Sequence, residues 1–167
     1  MIFLLCLFNR LITEQEQLMI ILKKVDEDNY RKVLDIKMPA DQHFVAPNVV
    51  SLAQAWVYYD TARPYAIYND DEIVGFIMLD YNYNDKKEAG VWRLMIAQEH
   101  QGKGYGTEAM KQAIEIIKKE SRFNYIYLDY VPTNMVAKHV YEKLGFVATG
   151  EVDEGEIIMR LVIKKQS

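Results

Sequence analysis

The chain has little of what several protein classes require. One cysteine among 167 residues, Cys6, excludes a disulfide framework and is expected of a reducing, cytoplasmic compartment. Three histidines, His43, His100 and His139, are too scattered to make metal-ligand spacing, so no metal is expected. Lys and Arg, 20 in all, are outnumbered by 24 Asp and Glu. The net charge of −4 argues against nucleic acid as the main partner, because phosphate backbones are bound by clustered cations. Long apolar runs are missing too, and no membrane association is expected. Met1 to Phe8 is strongly apolar but too short to span a bilayer. It also lacks the basic start and small-residue cleavage site of a signal peptide.

What is present suits an ordinary globular protein, with 50% apolar and 26% charged residues in a length fit for one domain. No repeat, low-complexity tract or linker divides the chain. Residues 1–18 read as an N-terminal extension, with Met19 as the usual start and 19–167 as a single domain. The rival reading of 1–18 is a short helix packed on the domain or on a second subunit.

Periodicity and punctuation predict the elements. A strand runs from Ile20 to Val25. A helix follows from Glu27 to Ile36 with Asp26 as cap, and another to Thr61 with Ser51 as cap. After Pro64 comes a hairpin, Tyr65–Tyr68 and Ile73–Tyr81, then a strand from Glu88 to Ile96. A helix over Thr107–Lys119 turns Ala109, Met110, Ala113, Ile114, Ile116 and Ile117 to one face. Tyr125–Val131 reads as a strand, Met135–Leu144 as a helix, and 146–152 and 156–163 as a closing hairpin. The order β-α-α-β-β-β-α-β-α-β-β predicts an α/β fold with helices on both faces of a mixed sheet.

The most telling stretch is Gln101-Gly102-Lys103-Gly104-Tyr105-Gly106, between the strand ending at Ile96 and the helix beginning near Thr107. A glycine turn between strand and helix aims several backbone N–H groups, and the helix's positive end, at one anion. Lys103 adds a full charge, and no carboxylate intervenes before Glu108. The nucleotide P-loop is excluded because Gly104, not a hydroxyl residue, follows Lys103. The dinucleotide fingerprint is excluded because Thr107 stands where its third glycine belongs.

Further along, Asn134 is placed to cap a helix that carries Ala137, Tyr141 and Lys143 and stops at Gly145-Phe146. Gln101, Gly104 and Gly106 in the first segment, and N-x-x-A-x-x-x-Y-x-K-x-G-F in the second, resemble the two acetyl-CoA motifs of the GCN5-related N-acetyltransferases (GNAT family). The resemblance covers about Lys23 to Lys165. Trp92-Arg93-Leu94-Met95-Ile96 followed by the glycine loop is similar to the spermine/spermidine, or diamine, branch.

That resemblance implies a mostly antiparallel mixed sheet and direct transfer of an acetyl group from acetyl-CoA to a primary amine. Gln101, Gly102, Lys103, Gly104, Tyr105, Gly106 and Thr107 would bind the pyrophosphate. Leu94, Met95 and Ile96 would offer backbone groups to the pantetheine arm, with an N–H near Ile96 polarising the thioester carbonyl. Asn134 and Ala137 would complete the cofactor site, and Tyr141 would donate to the leaving sulfur. A phenol pKa of about 10 against about 8.5 for a thiol makes a charge-stabilising hydrogen bond as apt as full transfer. Where some polyamine acetyltransferases place a carboxylate, this chain has Trp92, so Glu88 and, behind it, Asp80 are the base candidates.

An aromatic and acidic wall of Tyr58, Tyr59, Tyr65, Tyr81, Tyr83, Asp80, Asp85 and Glu88 would suit a cationic amine, a polyamine first. An aminoglycoside or a protein amine is the alternative acceptor, and an acetyl-CoA sensor without turnover the alternative function. The resemblance also allows a homodimer through the last strands, as some relatives form, which the sequence does not establish.

Overall fold

The computed structural model describes residues 19–40, 42, 44–81 and 87–163. The extension expected over 1–18, and the candidate residues His43, Tyr83 and Asp85, lie outside them. Seven strands form one sheet: β1 (Ile20–Lys24), β2 (Ala62–Asn69), β3 (Glu72–Asp80), β4 (Glu88–Ile96), β5 (Tyr125–Tyr130), β6 (Val147–Asp153) and β7 (Glu156–Val162). Their spatial order is β1-β2-β3-β4-β5-β7-β6. Every neighbouring pair is antiparallel except β4 and β5. Four helices cover the sheet: α1 (Tyr30–Leu34), α2 (Asn48–Val57), α3 (Tyr105–Lys119) and α4 (Met135–Lys143). The expected element order and the mixed, mostly antiparallel sheet are both observed.

The sheet separates two cores. β3 is buried on both sides, because Phe76 and Met78 point to one face and Ile77 and Leu79 to the other. Phe76 and Met78 meet Val33 of α1 and the apolar side of α2. Ile77 and Leu79 meet Ala109, Met110, Ala113, Ile114 and Ile117 of α3, with Tyr141 of α4 on the same side. The helix pattern of α3 therefore buries its apolar stripe, while Glu108–Lys111 and Glu115–Lys118 ion pairs lie outside.

Element boundaries depart from expectation where local hydrogen bonds compete. Asp26 Oδ1 accepts from the N–H groups of Asp28 and Asn29, and Asn29 Oδ1 accepts from the N–H of Asp26. This turn consumes the residues expected to open the first helix, so α1 starts at Tyr30. Ser51 lies inside α2 rather than capping it. The helix begins after Pro47, whose carbonyl accepts from the N–H groups of Val50 and Ser51. Pro64 sits within β2, beyond the end of β1 pairing at Tyr65, where its missing N–H costs nothing. Glu154 and Gly155, with φ of 47° and 90°, make the two-residue turn from β6 to β7.

Candidate active site

β4 and β5 are paired only at Glu88–Tyr125, Ala89–Ile126 and Gly90–Tyr127. Beyond Gly90 the strands diverge, and a cleft of about 1400 Å³ opens between them. That exceeds the roughly 300–1,000 Å³ of a drug-sized site, so one long ligand and a second molecule both have room. The divergence coincides with a bulge in β4. Met78 pairs with Arg93 but Leu79 with Val91, leaving Trp92 as the extra residue. The bulge sets Arg93 and Met95 on the α1/α2 face, paired with Met78 and Phe76. Leu94 and Ile96 point to the α3/α4 face, where they pack on that core. Alternate backbone groups of Leu94, Met95 and Ile96 are left facing the gap, without β5 to pair with.

The glycine loop closes one end of the cleft. Gly102 and Gly104 have φ of 76° and 84°, in the left-handed region where a side chain is strained. This curls the chain so that α3 starts at Tyr105, two residues earlier than expected. Glu108 is the first residue whose N–H returns to the loop, at the Gly104 carbonyl. The N–H groups from Gly102 to Thr107 donate to nothing among the described residues. No side chain caps the helix. A row of unsatisfied donors at a helix N-terminus is a fitting cradle for a pyrophosphate. Gln101, Gly102, Gly104, Tyr105, Gly106 and Thr107 line the cleft, whereas the exposed Lys103 does not. The Gln101 side chain is spent on the protein. Its Nε2 donates to the Ile96 carbonyl at 3.0 Å, and it exchanges hydrogen bonds of 3.1 and 3.3 Å with Gln42.

Asn134, Ala137 and Tyr141 line the cleft from α4. Asn134 caps its own helix, with Oδ1 accepting from the Ala137 N–H at 3.1 Å. Its Nδ2 makes no hydrogen bond among the described residues and is left for a ligand. Tyr141 is 7% exposed, packed against Tyr130 and Phe146 at ring distances of 6.3 and 6.0 Å. Its hydroxyl has no hydrogen-bond partner among the described residues. Burial, with the nearby charges of Asp129 and Glu156 adding to it, pushes its pKa up to about 12. The phenol therefore stays protonated and available as a donor at neutral pH.

Across the sheet the cleft meets charges that sequence reasoning missed. Asp129 of β5 pairs with Ile158 of β7 in register, so Glu156, two residues earlier, is its diagonal neighbour on the same face. The two carboxyls are close neighbours and both line the cleft, as does Arg93 from β4. Burial raises the pKa of Asp129, opposed by its own backbone hydrogen bond, by the Arg93 charge and by Glu156. Burial, then the Asp129 charge, raises that of Glu156. Asp129 keeps solvent contact in the free protein, which softens the effect of burial until a ligand displaces that water. Arg93 donates to the Trp92 carbonyl at 2.7 Å and to Gln54 Oε1 at 3.3 Å, while its buried Nε has no hydrogen-bond partner among the described residues. The available signal was an aspartate inside an aromatic, branched strand, where this residue is depleted. Glu156, directly after a turn, carried none.

Glu88 does not reach this site. It is 5% exposed at the opposite, paired end of β4 and forms a 2.7 Å ion pair with Arg160. Its place in the ladder explains this, since the strands separate only beyond Gly90. The expected aromatic and acidic wall is not assembled either. Tyr65 and Tyr81 are buried in the α3/α4 core, Tyr58 and Tyr59 are exposed, and Asp80 accepts from the Tyr127 hydroxyl at 3.0 Å. Leu34, Ile36, Met38, Phe44 and Trp92 supply apolar lining instead. His100, 8% exposed, also lines the cleft, with Nε2 at 3.4 Å from Glu72. His139 is exposed.

Comparison with known proteins agrees with this architecture. The acetyltransferase (GNAT) family model matches residues 28–146. The spermine/spermidine N(1)-acetyltransferase of Bacillus subtilis (strain 168) is 31% identical over 148 residues, 83% of this chain and 95% of that protein. Among solved structures, spermidine N-acetyltransferase from Vibrio cholerae in complex with CoA and spermine superposes with a TM-score of 0.64 at 20% identity, over 84% of this chain and 92% of that one. The PaiA N-acetyltransferase from Thermoplasma acidophilum in complex with coenzyme A gives a TM-score of 0.67 at 19% identity, over 86% of this chain and 98% of that one. These two likenesses are of fold. The chain belongs to the acetyltransferase (GNAT) family and is an acetyl-CoA-dependent N-acetyltransferase.

Proposed function

We propose that this family member acetylates a primary amine of a polyamine such as spermidine or spermine. The observation that carries the reading is one cleft passing through the β4–β5 gap, with unsatisfied amides at its α3/α4 side and paired carboxyls at its α1/α2 side. Acetyl-CoA supplies the activated acetyl group as a thioester. The amides of Gly102 to Thr107 hold the pyrophosphate, with Lys103 adding charge at the rim. The gap-facing backbone of Leu94 to Ile96 aligns the pantetheine arm as an added strand would pair. An N–H near Ile96 polarises the thioester carbonyl, and the Asn134 amide donates to the arm beside Ala137. Tyr141 faces the sulfur. Its high pKa suits a hydrogen bond that stabilises the thiolate as charge develops.

The acceptor enters from the α1/α2 face. A polyamine alternates ammonium groups with methylene stretches. The carboxyls of Asp129 and Glu156 match the first, and Leu34, Ile36, Met38 and Phe44 match the second. The names of the relatives at 31% identity support this acceptor class. Pairing of two copies belongs to the same reading. The outermost strand β6 exposes Val147 and Val152, and light scattering checks it.

Thiol release from acetyl-CoA by the purified chain, with spermidine, spermine, an aminoglycoside and a lysine peptide, is the direct test. Saturable turnover on the polyamines is expected. Tyr141→Phe is expected to lower kcat by about 10²-fold or more while leaving acetyl-CoA binding intact. Turnover restricted to the aminoglycoside or the peptide would refute the polyamine assignment.

A further inference from the structure

Acetyl transfer needs a group that takes a proton from an amine arriving as ammonium, and Glu88 lies outside the cleft. Asp129, Glu156 and Arg93 lie inside it, on the face opposite the glycine loop. Register places the carboxyls as diagonal neighbours on β5 and β7, while the β4 bulge sets Arg93 on the same face of the sheet, lining the same cleft. Two further observations point to a ligand between these groups and α4. Tyr141, more than nine-tenths buried, leaves its hydroxyl unpartnered in the same cleft. The buried Nε of Arg93 has no hydrogen-bond partner among the described residues.

We propose that the Asp129–Glu156 carboxyl pair is the general base of acetyl transfer. This rests on the N-acetyltransfer reading but not on the identity of the amine. The pair accepts a proton from the ammonium, and the freed nitrogen lone pair forms the C–N bond to the thioester carbonyl carbon. The C–S bond breaks with its electrons going to sulfur, which takes a proton delivered through the Tyr141 hydroxyl. Of the two protons the amine loses, one passes through the pair to water and the other balances the proton gained by sulfur. The products are an N-substituted acetamide, a free thiol and one proton.

The groups facing the pair set its basicity. Arg93 from β4 favours the charged form. Asp153 at the end of β6, Glu154 of the following turn, Tyr127 on the same strand and Tyr141 from α4 stand on the other sides. The balance raises both carboxyls, the direction that brings a carboxylate closer to a working base. Only the deprotonated pair is active, so kcat falls as pH drops through this raised value.

The test is kcat against pH for the wild type, Asp129→Asn and Glu156→Gln, on whichever panel amine turns over. Acetyl-CoA affinity and the thermal midpoint are followed in parallel. Asp129→Asn is expected to lower kcat by about 10²–10⁴-fold and to abolish the limb set by the pair, with acetyl-CoA affinity unchanged. Glu156→Gln is expected to replace the limb set by the pair with that of a single carboxyl. An acceptor with a weakly basic amine, already neutral at assay pH, is expected to recover much of the lost rate. Wild-type kcat and pH profile in a folded Asp129→Asn variant would overturn the proposal. A wild type that ignores polyamines but acetylates another amine overturns the polyamine assignment alone.

Discussion

Replacing Glu88 with glutamine keeps the side chain's shape and removes its charge, which separates a structural carboxylate from a catalytic one. Glu88 is buried, and its 2.7 Å ion pair with Arg160 crosses from β4 to β7, on either side of β5. Breaking a fully buried pair costs about 3–5 kcal/mol, mostly because one charge is left without a partner. Arg160 has 31% of its side chain exposed and stacks 5.4 Å from the Tyr125 ring, so water and the ring recover part of that loss. A cost of about 2–3 kcal/mol is expected, between the buried and surface limits. At about 2–4 °C per kcal/mol for a domain of this size, the thermal midpoint should fall by about 4–12 °C. Adding Arg160→Met removes the orphaned cation and is expected to restore part of the drop. The assay pairs a melting curve with kcat measured well below the midpoint and normalised to folded protein. An unchanged kcat is expected. A severe loss of kcat at an unchanged midpoint would refute the reasoning and return the base to Glu88.

Two further substitutions probe the α3/α4 side of the cleft. A methyl group at position 102 would meet no protein atom within 4 Å, so Gly102→Ala carries only the left-handed backbone cost of about 1–2 kcal/mol. It is expected to raise the KM for acetyl-CoA with little change in kcat, because the loop amides are re-aimed and the new methyl stands where the pyrophosphate approaches. Asn134→Ala removes the cap on α4. Circular dichroism melts should show a loss of about 1 kcal/mol, and calorimetry a weaker acetyl-CoA affinity.

Much of the site was legible because its chemistry is local. The glycine loop, its rejection as either nucleotide fingerprint, and the cap at Asn134 each depend on residues within a single turn of chain. Left-handed φ at Gly102 and Gly104 shapes the glycine turn expected there. The structure altered the role of one of these residues. Gln101 is committed to Gln42 and Ile96, which ties the loop to β4, and a side-chain pattern cannot reveal where an amide finds its partner. The tyrosine wall failed for a similar reason. Tyr65, within β2, and Tyr81, just past the end of β3, enter the core because both faces of these central strands are covered, so an aromatic there fills space and does not face a substrate.

The order of elements, the glycine turn ahead of α3 and the cap at Asn134 followed from sequence, since hydrophobic period, glycine placement and capping act over a few residues; the role proposed for Tyr141 came from the family resemblance. Only the tertiary structure decided which carboxylates serve the cleft. A one-residue bulge in β4 determines where Arg93 points, and separation of β4 from β5 after three residue pairs determines where solvent enters. The sheet order sets β7 beside β5, bringing Glu156 to Asp129 from a distant part of the chain. Glu88 and Asp129 look alike as charges on strands; one fell within the paired end of the β4–β5 ladder and the other at its open mouth.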